Sequence, residues 1–304
     1  MSAIETLATR IEGLGELRRD ESMARHTTFG IGGPADLYLT VRDSGSLREA
    51  STAARDSGVD AFVLGSGSNI LVADAGIRGL VIDNRARAEQ TDDGGTTYRV
   101  ESGASFAAFS RRMGRQGRAG LTWAVGIPGT LGGAVVYNAG AYGGCLADVL
   151  TAVRLGDAEG DRWVAAEELG LVYRGSAFTR GLAAGAVVLE VELTLLEADA
   201  AELVARAAAH DRKRLAAQPR GRNAGSMFKN PPESPAWKLI EAVGLRGATR
   251  GDAAISERHC NFFVNMGQAS ASDVAWLVEE AERRTFEQFG VRLDREVSFV
   301  GAWQ

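Results

Sequence analysis

The 304-residue sequence predicts an α/β (α+β) fold, laid out as two small α/β units followed by a third, basic part. Three observations lead there. In the first two hundred residues, short apolar runs bounded by glycine, serine and asparagine alternate with stretches of helical spacing. An alanine-rich, charged stretch from Asp199 to Gln218 reads as one helix stopped by Pro219, a natural boundary. Across that boundary, Arg212 to Lys229 (RKRLAAQPRGRNAGSMFK) carries six cations and no acid, in a chain whose net charge is −5.

Taken in order, MSAIETLATRIEGLGELRRD has the spacing of a short amphipathic helix and lacks the long apolar core of a secretion signal. The loop TTFGIGGPA (Thr27 to Ala35) matches G-x-G-x-x-A at Gly30, Gly32 and Ala35. Pro34 and the strand-like Leu37, Tyr38 and Leu39 argue against the helix that a dinucleotide fingerprint needs. A helix over Ser46 to Ser57 precedes strands Phe62 to Leu64, Ile70 to Val72 and Leu80 to Ile82. After the polar turn Asp92 to Thr97 come an alternating strand, Tyr98 to Glu101, a helix from Ser105 to about Gln116, and a strand over Val187 to Leu196. Beyond Pro219 the pattern gives a short helix near Pro235 to Ala242, a strand Asn261 to Asn265 and a long helix Ala271 to Phe289. In that helix Val274, Leu277, Val278, Ala281 and Phe289 keep core spacing.

Composition narrows the function. A chain that is 45% hydrophobic and 24% charged, with no run approaching a membrane span, reads as a soluble cytoplasmic protein without a membrane partner. The acidic balance disfavours nucleic acid, so an anionic small molecule has to be met by a local basic patch such as Arg212 to Lys229. Cations near a helix C-terminus also complement its dipole, which by itself accounts for Arg212, Lys213 and Arg214. Cys145 and Cys260 stand far apart, and with only His26, His210 and His259 no metal site is expected.

Two glycine loops carry the chemistry. After Phe62 to Leu64 comes Gly65-Ser66-Gly67-Ser68-Asn69, a strand running into a loop rich in N–H and hydroxyl donors, which is a phosphate-cradle arrangement. It is not a Walker loop, and Ile70 stands where a Rossmann fingerprint needs its third glycine. The segment from Trp123 to Gly144, WAVGIPGTLGGAVVYNAGAYGG, is dense in glycine, with one proline and no charged side chain. It supplies exposed N–H groups and positive-φ turns, which suit a diphosphate and a planar ring, with Asn138 and Tyr142 as polar punctuation. Arg174, Ser226 and Glu296 sit in contexts that packing does not require. Singly they read as a surface arginine, a turn hydroxyl and a strand-end charge, and spacing alone cannot bring them together.

Together the segments resemble the UDP-N-acetylenolpyruvoylglucosamine reductase family nearly end to end. The match covers TTFGIGGPAD (Thr27 to Asp36), GSGSNILV (Gly65 to Val72), GIPGTLGGAVVYNAGAYGG (Gly126 to Gly144), YRGSAF (Tyr173 to Phe178) and AGSMFKNP (Ala224 to Pro231). It continues through WKLIEAVGLRGATRGDAAIS (Trp237 to Ser256), HCNFFVN (His259 to Asn265) and LDREVSFVG (Leu293 to Gly301). The resemblance implies a two-part FAD-binding domain of the vanillyl-alcohol oxidase/para-cresol methylhydroxylase type plus a C-terminal α+β substrate-binding domain. The expected divisions are 1–85 and 86–205 for the FAD subdomains and 206–304 for the substrate domain, whose last residues can return to the FAD domain.

The same resemblance implies non-covalent FAD held by Gly65, Ser66, Gly67, Ser68, Asn69, Gly126, Ile127, Pro128, Gly129, Gly132, Gly133, Asn138, Ala139, Gly140 and Ala141, with NADPH as reductant. It implies NADPH-dependent reduction of UDP-N-acetylglucosamine enolpyruvate to UDP-N-acetylmuramate in peptidoglycan synthesis. Hydride reaches C3 of the enolpyruvyl group from flavin N5, and Ser226 protonates C2. Arg174 and Glu296 stabilise charge building on the enolpyruvyl carboxylate, Glu296 in protonated form or through a water. Tyr173, Arg214, Lys229, Asn230, His259 and Asn261 are the implied contacts to the UDP-sugar, and no protein partner is called for. His26 departs from a commoner asparagine and Gly30 from an often basic position. The chain also lacks a tyrosine-bearing insertion between Arg174 and Ser226, which points to the shorter of the family's two types. Two rivals stay open: another FAD-dependent oxidase or dehydrogenase of this fold, betrayed by fast reaction of reduced flavin with oxygen, and a non-catalytic UDP-sugar or flavin sensor, betrayed by binding without NADPH oxidation.

Overall fold

Strand β5 (Ile77–Asn84) is buried along all but one residue. The reason is its place inside a four-stranded sheet, where β1 (Glu16–Ser22), β2 (Pro34–Val41), β5 and β3 (Ala61–Leu64) follow in that order. β3 and β5 run parallel, with Phe62 opposite Val81 and Val63 opposite Ile82. Helices α1 (Ala3–Arg10) and α2 (Ser44–Asp56) lay Leu7, Leu47, Ala50 and Ala54 into one apolar cluster with Leu37, Leu39, Leu80 and Ile82. The computed structural model describes residues 2–92, 94–183 and 185–303. By contact density these divide into one unit of 1–19, 37–65 and 79–214, and another of 20–36, 66–78 and 215–304.

The first unit holds a second sheet of five strands in the order Gly160–Ala165, Leu150–Asp157, Val187–Thr194, β7 (Thr97–Glu101) and β6 (Glu89–Thr91), after β4 (Ile70–Val72) in the chain. It is antiparallel throughout. Its inner face meets α3 (Phe106–Arg115) and α4 (Leu131–Val136), burying Val100, Phe106, Phe109, Leu131, Val135, Val153 and Val191. Ser105 caps α3 through the Ala108 N–H, and Thr130 caps α4 through the Gly133 N–H. The sequence missed four strands of these two sheets, among them the fully exposed edge strand Glu89–Thr91. Glu16–Ser22 is ELRRDES, and Gly160–Ala165 is an edge strand with three exposed residues in succession, so neither shows the alternation that announces a half-buried strand. Leu150–Asp157 is a central strand whose glycine and β-bulges blur the period. The strand expected over Val187 to Leu196 breaks at Leu195, because Leu196–Glu197 leaves this sheet to pair with Arg118–Ala119.

Helix α5 (Ala200–Ala217) belongs to the first unit up to Arg214, leads the chain into the second, and ends at the predicted place, since Pro219 cannot continue it. In the second unit α6 (Ala236–Ala242) and α7 (Ala271–Phe289) pack on a three-stranded sheet of Thr249–Arg250, Ala253–Ile255 and Phe263–Asn265. Leu239, Ile240, Val274, Leu277 and Val278 close over Phe263, Phe228 and Met227. β4 belongs here and runs parallel to Ser298–Val300, Leu71 opposite Phe299. Asp74, at the end of β4, accepts hydrogen bonds from the Ala271 N–H (2.7 Å), the Ser272 N–H (2.9 Å) and the Ser272 hydroxyl (2.6 Å). A carboxylate nearly two hundred residues upstream thus caps the longest helix.

Candidate active site

The glycine-rich segment of the first unit resolves into parts with separate reasons. Tyr142 and Gly143 are the two central residues of a hairpin joining Gly140–Ala141 to Gly144–Cys145, at φ +53° and +87°. Two positive φ angles make the tight turn that antiparallel strands favour, so Gly143 answers the turn. A Cβ on Gly144 would lie 2.6 Å from the Trp123 indole nitrogen, one on Gly132 would lie 2.9 Å from the Ser102 Cβ, and one on Gly65 would lie 2.6 Å from the Thr130 hydroxyl. These glycines answer close packing. Gly126 gives room to Arg214, whose Cδ would stand 2.7 Å from its Cβ.

Arg174 occupies the tip of a tight turn. Val172 and Gly175 exchange both backbone hydrogen bonds, at 2.9 and 3.2 Å, leaving Tyr173 and Arg174 as the connection. Arg174 takes φ +52°, a left-handed conformation that a side chain this long adopts at a cost of about 1–3 kcal/mol. Its Nη2 donates to the Gly140 carbonyl at 2.7 Å, and its guanidinium stands 5.3 Å from the centre of the exposed Tyr173 ring. Buried Asn138, also left-handed at φ +41°, donates through Nδ2 to the Val172 carbonyl at 3.0 Å and accepts from the Ala147 N–H at 3.1 Å. The cluster of left-handed residues Asn138, Tyr142 and Arg174 is therefore local to one loop pair.

Ser226 and Glu296 come together in the second unit. Ser226 bridges Phe262 and Phe228 bridges Arg295, so the segment Ser226 to Lys229 lies between two extended neighbours. The Met227 N–H donates to the Asn261 carbonyl at 2.7 Å, while the Glu296 N–H donates to the Met227 carbonyl at 2.8 Å. Glu296 is thus one backbone hydrogen bond from the residue after Ser226. On its other side, Asn69 Nδ2 donates to the Glu296 carbonyl at 3.1 Å, and the Ser298 N–H donates to the Asn69 carbonyl at 3.0 Å. The loop containing Ser66, Gly67 and Ser68 is therefore hydrogen-bonded through Asn69 to the segment Glu296 to Ser298. Gly67, at φ +62°, lies against the His26 carbonyl, where a Cβ has no space, and the Thr28 N–H donates to the Gly67 carbonyl at 3.0 Å. Gly30 is open for a similar reason: a Cβ there would stand 2.8 Å from the Arg222 Cδ.

The remaining candidates fall on the same two units. Arg214 is half-buried, and burial draws its guanidinium below the usual arginine value. The Lys229 N–H donates to the Asp294 carbonyl at 2.8 Å, and Asn230 Oδ1 accepts from the Ala236 N–H at 3.1 Å, opening α6. His259 lies edge-on to Phe262, 5.0 Å between ring centres, and its Nδ1 accepts from the Asn261 N–H at 3.3 Å. Burial holds this imidazole below the ordinary histidine range, so it stands neutral near pH 7. The Asn261 amide spans the backbone of Phe228, accepting from its N–H at 2.9 Å and donating to its carbonyl at 2.8 Å. Sequence reasoning passed over Asn223, whose Oδ1 accepts from the Gly225 N–H at 3.0 Å and turns the chain into Ser226. The Asn-x-Gly spacing was the available signal.

The donor set fits FAD. Between Gly65 and Asn69, and between Gly126 and Gly144, there is no charged side chain and glycine, alanine and serine are frequent, which lets a diphosphate and a flat ring approach the backbone. The Ile127, Gly132, Asn138 and Ala139 N–H groups, however, are spent on the Ala124, Ser102, Val135 and Ala134 carbonyls. Among the described residues no three His, Cys, Asp or Glu side chains gather as a metal site, and no helix is long and apolar enough to cross a membrane.

The family model "UDP-N-acetylenolpyruvoylglucosamine reductase, C-terminal domain" matches residues 217–300, and the "FAD binding domain" model matches residues 35–166. The chain is 41% identical over 300 residues to UDP-N-acetylenolpyruvoylglucosamine reductase 2 of Symbiobacterium thermophilum, covering 98% of this chain and 96% of that protein. It is 37% identical over 288 residues to the UDP-N-acetylenolpyruvoylglucosamine reductase of Clostridioides difficile, covering 94% of each. The crystal structure of UDP-N-acetylenolpyruvylglucosamine reductase (MurB) from Thermus caldophilus superposes with a TM-score of 0.80 at 37% identity, covering 94% of this chain and 99% of that one. The expected fold class, an FAD-binding domain joined to a C-terminal α+β domain, agrees with these matches.

Proposed function

The chain belongs to the UDP-N-acetylenolpyruvoylglucosamine reductase family, and from that premise we propose that Arg174, Ser226 and Glu296 are its catalytic residues. It is an FAD-dependent oxidoreductase of peptidoglycan precursor synthesis that reduces UDP-N-acetylglucosamine enolpyruvate with NADPH. The observation that carries the residue assignment is the shared backbone frame of Ser226 and Glu296, in which the Glu296 N–H is bonded to the Met227 carbonyl.

FAD, when bound, would supply the hydride-transfer chemistry that links NADPH to the enolpyruvyl group. Gly65, Ser66, Gly67, Ser68, Asn69, Gly126, Ile127, Pro128, Gly129, Gly132, Gly133, Asn138, Ala139, Gly140 and Ala141 are the residues that would hold it, with the Asn69 and Asn138 side-chain amides turned to the Glu296 and Val172 carbonyls. The chain's own work is to make a poor hydride acceptor reactive. The Arg174 guanidinium, fixed by its bond to the Gly140 carbonyl, pairs with the substrate carboxylate and takes up charge as the double bond is reduced. Glu296, protonated or through a water, shares that charge. The Ser226 hydroxyl delivers the proton to C2, a role for which a weak acid suffices toward a carbanion. Arg214, Lys229, Tyr173, Asn230 and His259 face the UDP-sugar in this reading, and Arg214 recovers its desolvation cost against a phosphate.

The proposal divides the chain into FAD subdomains 1–85 and 86–205 and a substrate domain 206–304, which the model matches at 35–166 and 217–300 support. It invokes the small-molecule substrate alone, without nucleic acid, membrane or protein partner, and a cytoplasmic site of action. The test is an anaerobic absorbance titration in one cuvette. Flavin bands that bleach with NADPH and return with UDP-N-acetylglucosamine enolpyruvate in wild type, but stay bleached in Ser226→Ala, are expected. A Ser226→Ala protein that reoxidises at the wild-type rate overturns the serine's role.

A further inference from the structure

Each of the three candidate catalytic residues rides on a segment held by one asparagine carboxamide. Asn138 donates to the carbonyl of Val172, which closes the turn carrying Arg174 (3.0 Å), while its Oδ1 takes the Ala147 N–H (3.1 Å). Asn261 grips both backbone groups of Phe228, two residues past Ser226 (2.9 and 2.8 Å), and its own carbonyl takes the Met227 N–H (2.7 Å). Asn69 donates to the carbonyl of Glu296 itself (3.1 Å). Asn138 and Asn261 are buried, at 5% and 3% of their surface exposed, where a polar group left without its hydrogen bond is costly.

We propose that Asn69, Asn138 and Asn261 are positioning residues for the reaction, each fixing the backbone from which one catalytic side chain projects. A carboxamide is suited to this because it offers a donor and an acceptor in one plane and therefore holds a peptide carbonyl and N–H together, as Asn261 does at Phe228. Irregular backbone is where such a clamp is needed. Arg174 sits at φ +52° in a two-residue connection, and Ser226 and Glu296 lie on segments joined by single bridges and not by a full ladder. This inference rests on the catalytic roles proposed above, and it takes the Asn69, Asn138 and Asn261 side chains away from direct ligand contact.

The test uses the FAD-loaded protein and follows the two half-reactions separately by stopped flow. Asn261→Asp keeps the volume and the acceptor but turns the donor that faces the Phe228 carbonyl into a second acceptor. Flavin reduction by NADPH is expected to stay within about two-fold of wild type, while reoxidation by UDP-N-acetylglucosamine enolpyruvate slows about 10- to 100-fold, the cost of a reacting group misplaced by about an ångström. In Asn261→Asp combined with Ser226→Ala, reoxidation is expected within about three-fold of Ser226→Ala alone, because two changes acting through one group do not add. Asn138→Asp with Arg174→Ala, and Asn69→Asp with Glu296→Gln, are read by the double-variant comparison of reoxidation alone. Multiplicative effects in the double variants, or, in Asn261→Asp, equal slowing of both half-reactions or loss of bound flavin, would each overturn the positioning role. If Ser226→Ala slows reoxidation and Asn261→Asp does not, the positioning role fails while the catalytic reading stands. If Ser226→Ala itself is unimpaired, the catalytic reading fails first.

Discussion

Ser226 is half-buried, flanked on its C-terminal side by buried Met227 and Phe228, so its hydroxyl is presented by a segment anchored in the apolar core. Replacing it with alanine is expected to slow substrate-driven flavin reoxidation about 10²- to 10⁴-fold, with flavin reduction by NADPH intact, as single-turnover kinetics would show. His259 makes a prediction at the same scale. Burial lowers its pKa in the folded chain, and His210 is lowered too, by burial and by Lys213 and Arg206. A histidine depressed on folding leaves stability intact above its unfolded value of about 6.5. Stability then falls as pH drops, because the unfolded chain takes up the proton first. The melting temperature should therefore decline from pH 7 to pH 5, with a shallower slope in His259→Gln; an unchanged slope would assign the loss to other groups.

At the scale of elements, the long helix Ala271–Phe289 begins with a capping box between Ser270 and Asp273 and receives a second cap from Asp74. Burial opposes ionisation of Asp74, but the bonds from Ser272 and the Ala271 N–H outweigh it and hold the carboxyl below its usual value. Its stabilisation is present above about pH 4 and is lost as pH falls through the lowered folded value. Asp74→Ala is expected to destabilise the protein by about 1–2 kcal/mol at pH 7, measured by urea unfolding, with a smaller difference at pH 3. The helix itself was legible from Ala271 to Phe289, and its interior cluster of Val274, Leu277, Val278 and Ala281 is as the spacing says. Phe289, placed in the core by the same spacing, is 41% exposed, because the apolar stripe runs past the last turn that has anything to pack on.

At the scale of the whole molecule, FAD binding and folding are linked. The non-covalent hold proposed for FAD is lost when the chain unfolds, so heat or acid should release FAD into the supernatant. Flavin left with the precipitate would mean a covalent tether. Added FAD should raise the melting temperature with the logarithm of its concentration, the stability gained being about 2.7 kcal/mol at a hundredfold excess over its dissociation constant. Absence of any shift would remove the glycine loops from the cofactor site.

Much of this was legible in local sequence because local physics decides it. Pro219 ends a helix wherever it stands, alternation at Tyr98 to Glu101 needs only one buried face, and glycine density at Gly126 to Gly144 marks a backbone that something must approach closely. Local sequence does not say which neighbour makes each approach. Gly144 meets Trp123, Gly132 meets Ser102, Gly126 meets Arg214, and Gly143 serves its own turn. The strand ELRRDES, the cap reaching from Asp74 to Ala271, and the inclusion of 20–36 and 66–78 in the C-terminal unit likewise had no local signal. Sequence by itself determined the family, the cofactor class and the residue types available for catalysis, since these depend on side-chain chemistry in ordered motifs. Only the tertiary structure decided that the Ser226 and Glu296 segments are neighbours, and that Asn69, Asn138 and Asn261 spend their amides on the backbone. Hydrogen bonds such as that from Asn69 to Glu296, 227 positions apart, exist only once the chain has closed the loops between them.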